Sequence, residues 1–130
     1  MRIPRRERGT GLVLLIGCLL ACACGDQYEA VRSLKDASVP PGDTAPALDA
    51  PVQDGLSLQF AWEFNSHFEP SAYLERVAER FSTRDFTIQR HDASSLEMTR
   101  VESGDEYRMH VEVSSGSPTL VRVTLRSSPD

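Results

Sequence analysis

The chain reads as an α+β domain in which one amphipathic helix packs on a mainly antiparallel sheet, a two-layer sandwich in the order β-α-β-β-β-β. Three observations predict it. Residues 56–64 alternate strictly between large apolar and small or polar side chains. Residues 74–81 carry apolar groups at helical spacing, and four more alternating runs follow, set off by turn-forming residues.

Leu56, Leu58, Phe60, Trp62 and Phe64 alternate with Ser57, Gln59, Ala61 and Glu63, and a period of two marks a strand with one buried face. Pro70 suits the first turn of a helix, where its missing N–H costs nothing. Leu74, Val77, Ala78 and Phe81 then fall at i, i+3, i+4 and i+7, with Glu75, Arg76, Glu79 and Arg80 on the wet side. Phe86 and Ile88 alternate with Thr87 and Gln89, and Leu96 and Met98 alternate with Glu97 and Thr99. Glu102-Ser103-Gly104-Asp105 is a turn cluster, as is Ser114-Ser115-Gly116-Ser117-Pro118. Around them Tyr107, Met109, Val111 and Val113 form one alternating run, and Val121, Val123 and Leu125 the last. Short loops join antiparallel neighbours, so the last three strands are expected as a meander. The expected core is Phe60, Trp62, Leu74, Val77, Phe81, Ile88, Met98, Met109, Val111 and Val123.

The N-terminal part has another character. Arg2, Arg5, Arg6 and Arg8 precede an apolar run that closes in Ala21-Cys22-Ala23-Cys24. At about 1.5 Å per residue, Leu12 to Cys24 as a helix spans roughly 20 Å, short of the bilayer's roughly 30 Å hydrocarbon core. A basic head, a short apolar middle and small residues at the end make an export signal. Leu19-Leu20-Ala21-Cys22 resembles the processing site of a bacterial lipoprotein. That resemblance covers about the first fifth of the chain and concerns processing alone. It implies cleavage after Ala21 and lipid on the Cys22 sulfur, with Cys24 as the alternative site. It further implies residence on the cell membrane or outer membrane, with the domain facing the periplasm or exterior. Ala23 stands where the inner-membrane retention pattern of this class has Asp, which in a two-membrane cell points to the outer membrane. The hydrophobic residues expected after a twin-arginine pair are missing behind Arg5-Arg6.

The domain organisation expected is therefore a signal peptide over 1–21, an anchor cysteine and disordered tether over 22–55, and a small α+β domain over 56–130. The tether expectation rests on Pro40, Pro41, Pro46 and Pro51 among alanines and acids, with few large apolar residues to offset ordering entropy. Tyr28, Val31 and Leu34, spaced by three, allow a short marginal helix over 26–37. Removing 1–21 takes four arginines and one glutamate, leaving ten basic against 18 acidic side chains, a formal charge of −8. That balance speaks against nucleic acid and against electrostatic docking on anionic lipid. All three cysteines precede Gly25, so no disulfide is expected inside the domain.

Neither a nucleophile elbow, a phosphate loop nor a His-Glu-x-x-His helix occurs in the chain. No catalytic residue, metal ligand or cofactor is assigned. His67 falls in the strand-to-helix loop beside Glu69, His91 in a turn beside Asp92, and His110 on the polar side of a strand. The surface expected to matter is the sheet face turned away from the helix, where Arg108, His110, Arg122 and Arg126 are the binding candidates. The expectation is an envelope lipoprotein working as a small binding or assembly module without catalysis, with a possible envelope protein as partner. The alternative is an envelope enzyme or enzyme inhibitor with its site on the open sheet face or in the 65–70 loop.

Overall fold

A computed structural model of the chain describes residues 27–129; the expected signal segment and both candidate anchor cysteines lie outside the described residues. The described residues form an α+β arrangement, with two helices and one six-stranded antiparallel sheet. Residues 27–38 form helix α1. Strands β1 (Val52–Asp54) and β2 (Ser57–Ser66) follow, then helix α2 (Pro70–Ser82). Strands β3 (Thr87–His91), β4 (Ser95–Glu102), β5 (Asp105–Ser114) and β6 (Thr119–Pro129) complete the chain. The order across the sheet is β1-β2-β6-β5-β4-β3, so β3 to β6 are a continuous meander and β2 closes beside β6.

The register puts every apolar alternation on one face. Phe60, Trp62 and Phe64 lie opposite Leu125, Val123 and Val121 of β6. Met109, Val111 and Val113 flank the same three from the other side, and Leu96 and Met98 continue the rows on β4. All of these side chains are buried, as are Tyr73, Leu74, Val77, Ala78 and Phe81 on the inner side of α2. Nine of the ten expected core residues are therefore in place.

The tenth, Ile88, is a correction: it lies on the outermost strand and is 40% exposed. It faces the same side as its partner Met98, but it sits at the sheet's border, and Phe86 fills the space beneath the helix instead. Helix α2 ends without glycine. The Phe86 N–H donates to the Phe81 carbonyl at 3.1 Å and Asp85 adopts φ 69°. This is the Schellman pattern, in which a hydrophobic pair spans the turn. Here that pair is Phe81 and Phe86, with ring centroids 5.4 Å apart in an edge-on arrangement.

Two hairpins obey turn chemistry. Ser103 and Gly104 both have positive φ between Glu102 and Asp105, as a type I′ turn requires. Gly55, φ 63°, and Leu56 connect β1 to β2. Leu56 is thus a second correction: it was expected to open the strand, but it sits at the hairpin tip and is 84% exposed. Strand β1 itself was not expected.

The largest correction concerns 22–55, expected as a disordered tether. In its described part, α1 occupies 27–38, β1 is paired with β2, and residues 34–129 belong to one compact unit. Helix α1 answers to the short helix expected over 26–37; composition missed the rest because few residues carry the order, each through a specific contact. Leu34, Ala37 and Val39 are buried. Ser38 accepts a hydrogen bond from the Trp62 indole at 3.0 Å, and its carbonyl accepts one from the Tyr73 hydroxyl at 2.8 Å. Lys35, the only lysine of the chain, is buried and donates to the Pro46 carbonyl at 2.7 Å. Among the described residues no helix is long and apolar enough to cross a membrane.

Candidate functional site

Strand alternation carries Arg108, His110, Arg122 and Arg126 to the face opposite α2 and the last turn of α1. The register brings them together. Arg108 lies directly opposite Arg126, and His110 opposite Thr124 on one side and Glu97 on the other. Arg122 sits between Glu63 and Glu112. The polar face expected from sequence is thus assembled from β2, β4, β5 and β6, and its side chains are exposed or half-exposed.

Most charges on this face are paired with an opposite charge nearby. The Arg122 Nε donates to Glu63 Oε2 at 2.6 Å. Arg126 reaches Asp54 at 3.1 Å, a partner supplied by the unexpected strand β1. Arg108 meets Glu97 at 3.4 Å and Glu106 at 3.7 Å, and the His110 Nε2 is 3.7 Å from Glu112. Exposed pairs of this kind contribute roughly 0–1 kcal/mol each, so they leave the face free to exchange partners at little cost.

A second cluster was only half legible. His67, expected beside Glu69, is instead held by Asp43: its Nδ1 lies 2.7 Å from Asp43 Oδ1, and its backbone N–H donates to the same oxygen at 3.0 Å. The Ser66 hydroxyl donates to Asp43 Oδ2 at 2.7 Å. Burial pushes the Asp43 carboxyl up, but the hydrogen bonds from His67 and Ser66 outweigh it and hold the group below the ordinary carboxylate range. Burial, reinforced by the Asp43 charge, pushes the Tyr73 phenol far above its usual value. Gly42, φ 97°, lies against the His67 ring, where an added Cβ would come within 3.3 Å of Cε1. The Asp43 carboxylate side chain is 5% exposed and the His67 side chain 55%. Asp43 was missed because it precedes His67 by 24 residues and lies in a stretch expected to be disordered.

Three shallow grooves flank these elements. One of about 340 Å³ runs between 37–41 and α2, lined by Pro40, Pro41, Val77 and Arg80 among others. One of about 310 Å³ is lined by Phe68, Ala72, Glu75, Arg76 and Glu79, and one of about 400 Å³ lies between 42–46 and Glu63–Asn65. None of the three is lined by His67 or Glu69. Neither protein-family profiles, curated protein sequences nor solved structures yield a match to this chain.

Proposed function

We propose that the chain is a lipid-anchored lipoprotein of the bacterial cell envelope, and that it works as a binding or assembly module through the open face of its sheet. The observation that carries this reading is the outward face itself: polar side chains of four strands, gathered by register into one exposed surface. Antiparallel sheets do often keep one face in water. The concentration of arginine and carboxylate pairs suits recognition of another protein, where charge pattern sets specificity and encounter rate. Helix α2 packs on the other side of the sheet, which leaves this face presentable among the described residues.

The anchor is proposed at Cys22, with Cys24 as the alternative, in the outer membrane of a two-membrane cell. Helix α1 changes what that anchor means. Only Ala23 to Asp26 separate Cys22 from residue 27, so that span is at most about 18 Å at full extension. The partner proposed is an envelope protein.

A photo-crosslinking residue in place of Thr124, at the centre of the face, tests the module in intact cells. A discrete adduct at Thr124, and none from the same group at Glu79 on α2, is the expected result. Adducts at neither position, or equally at both, would reject the face. Intact mass of the membrane-extracted protein tests the anchor: a chain beginning at Cys22 with added diacylglyceryl mass is expected, and an unmodified chain rejects it.

One observation favours a second reading, an envelope enzyme or enzyme inhibitor that uses the 65–70 loop: the orientation of the half-exposed His67 ring by buried Asp43. An imidazole so held reacts quickly with diethyl pyrocarbonate. Reaction at His67 slower than at His91 and His110 would remove this reading.

A further inference from the structure

Arg108 and Arg126 face each other across β5 and β6, two like charges at a directly opposed register position. Such a pair destabilises a sheet, and the neighbouring carboxylates offset it only loosely. Arg126 has one carboxylate oxygen at 3.1 Å, from an aspartate that is itself 70% exposed. The contacts of Arg108 are 3.4 and 3.7 Å long. Arg122, four residues before Arg126 on the same strand, shows the contrast with its single close contact of 2.6 Å. A guanidinium carries five N–H donors in a rigid fork, and the exposed ion pairs that draw Arg108 to Glu97 and Glu106 and Arg126 to Asp54 are weak enough for both forks to turn to one incoming carboxylate.

We infer that Arg108 and Arg126 together form the docking point for an acidic side chain of the partner protein, a reading that rests on the open face being the binding surface. The surrounding pattern selects the chemistry. Asp54, Glu97 and Glu106 ring the two arginines and repel any extended polyanion, whether a lipid headgroup layer or a nucleic acid. A single carboxylate flanked by cations complements both the forks and the ring. The occupant is therefore a protein surface that presents Glu or Asp between basic residues.

The test uses the full detergent-solubilised chain and two blocked peptides, Lys-Thr-Glu-Thr-Lys and the same sequence with Gln in the middle. The glutamate peptide is expected to move the Nε–Hε resonances of Arg108 and Arg126, and the glutamine peptide to leave them in place. R108Q and R126Q are each expected to weaken the glutamate peptide about tenfold or more. Thermal midpoints supply the readout that a structural role would not produce: R126Q leaves the midpoint unchanged or raises it, because a like-charge pair is relieved, whereas R122Q lowers it. Equal responses to the two peptides, or a midpoint lowered by R126Q as much as by R122Q, overturn the inference. So does a larger response to inorganic phosphate or to phosphatidylglycerol vesicles, which would assign the pair to phosphate groups. Self-association lost in R126Q also overturns it, in favour of a second copy of the chain. If the crosslink from Thr124 survives R126Q undiminished, the face stands as the binding surface and this docking point does not.

Discussion

The Trp62 indole donates its N–H to the Ser38 hydroxyl, joining the middle of β2 to the end of α1 at 3.0 Å. The Ser38 hydroxyl in turn donates a hydrogen bond to the Lys35 carbonyl at 2.6 Å, so one buried hydroxyl serves both an indole and a helix terminus. Replacing it with alanine leaves the indole N–H inside the protein without its acceptor. Ser38→Ala is expected to cost about 1–3 kcal/mol, the range for orphaning a buried donor. Trp62 is the only tryptophan, so its fluorescence in a urea titration reports the loss directly. A midpoint within error of the parent would show that α1 does not depend on this latch.

Lys35 offers an independent measure of the order in 34–46. Its side chain is 9% exposed, with its ammonium on the Pro46 carbonyl and 3.2 Å from Asp36. A lysine in a disordered tether reacts with an N-hydroxysuccinimide ester as fast as a free amine. Here acylation is expected to be slowed at least about tenfold in native buffer and restored in urea, since reaction requires a local opening. Because no other lysine exists, the intact mass gives the extent of reaction at Lys35 once the terminal amine is accounted for.

Much of the sheet was legible because period-two alternation is a property of neighbouring residues. The inner and outer faces of β4, β5 and β6 follow from it, and with them the side of the sheet on which Arg108, His110, Arg122 and Arg126 stand. What alternation does not contain is which strands are neighbours. The short loops made β5 and β6 neighbours, but the register that opposes Arg108 to Arg126, and the pairing of Arg126 with Asp54 of β1, appear only in the structure. Asp43 and His67 were illegible for a related reason, since a loop-to-loop hydrogen bond leaves no periodic trace. Lys35 and Ser38 look like linker residues in composition and act as buried connectors in the fold. Ile88 shows the opposite failure: its local pattern is that of a core residue, and its place on a border strand leaves it exposed.

Phe86 and Ile88 therefore separate local pattern from position. Phe86 is 4% exposed, packs edge-on against Phe81, and lies beneath the Arg100 guanidinium at 4.9 Å. Phe86→Ala is expected to destabilise by about 3–5 kcal/mol, through lost burial and the cavity left behind. Ile88→Ala removes a partly exposed side chain from an edge and is expected to cost under about 1 kcal/mol. Urea unfolding of the two variants decides between them, and comparable losses would place Ile88 in the core after all.

Asp43 ties the 39–46 segment to the loop before α2, and its titration carries a defined sign. Its carboxyl is held below the ordinary range, so the folded state binds fewer protons there than the unfolded state does. The stability it contributes is fully present above the unfolded value, about 4, and is lost as pH falls through the lower folded value. The other groups that bear on it do not blur this window: Ser66 has no charge to change, and the Tyr73 phenol stays neutral throughout. His67 holds the same carboxylate through its backbone N–H and its Nδ1, and its charge lowers the carboxyl further. Asp43→Asn is accordingly expected to lower stability at pH 7 by about 1.5–3 kcal/mol, the scale of a hydrogen bond to a charged group. The gap between parent and variant should persist from pH 7 to pH 5 and shrink below about pH 4. Thermal melts of both proteins from pH 7 to pH 2.5 measure it. A gap that stays constant to the lowest pH would show that the Asp43 charge plays no part in holding His67.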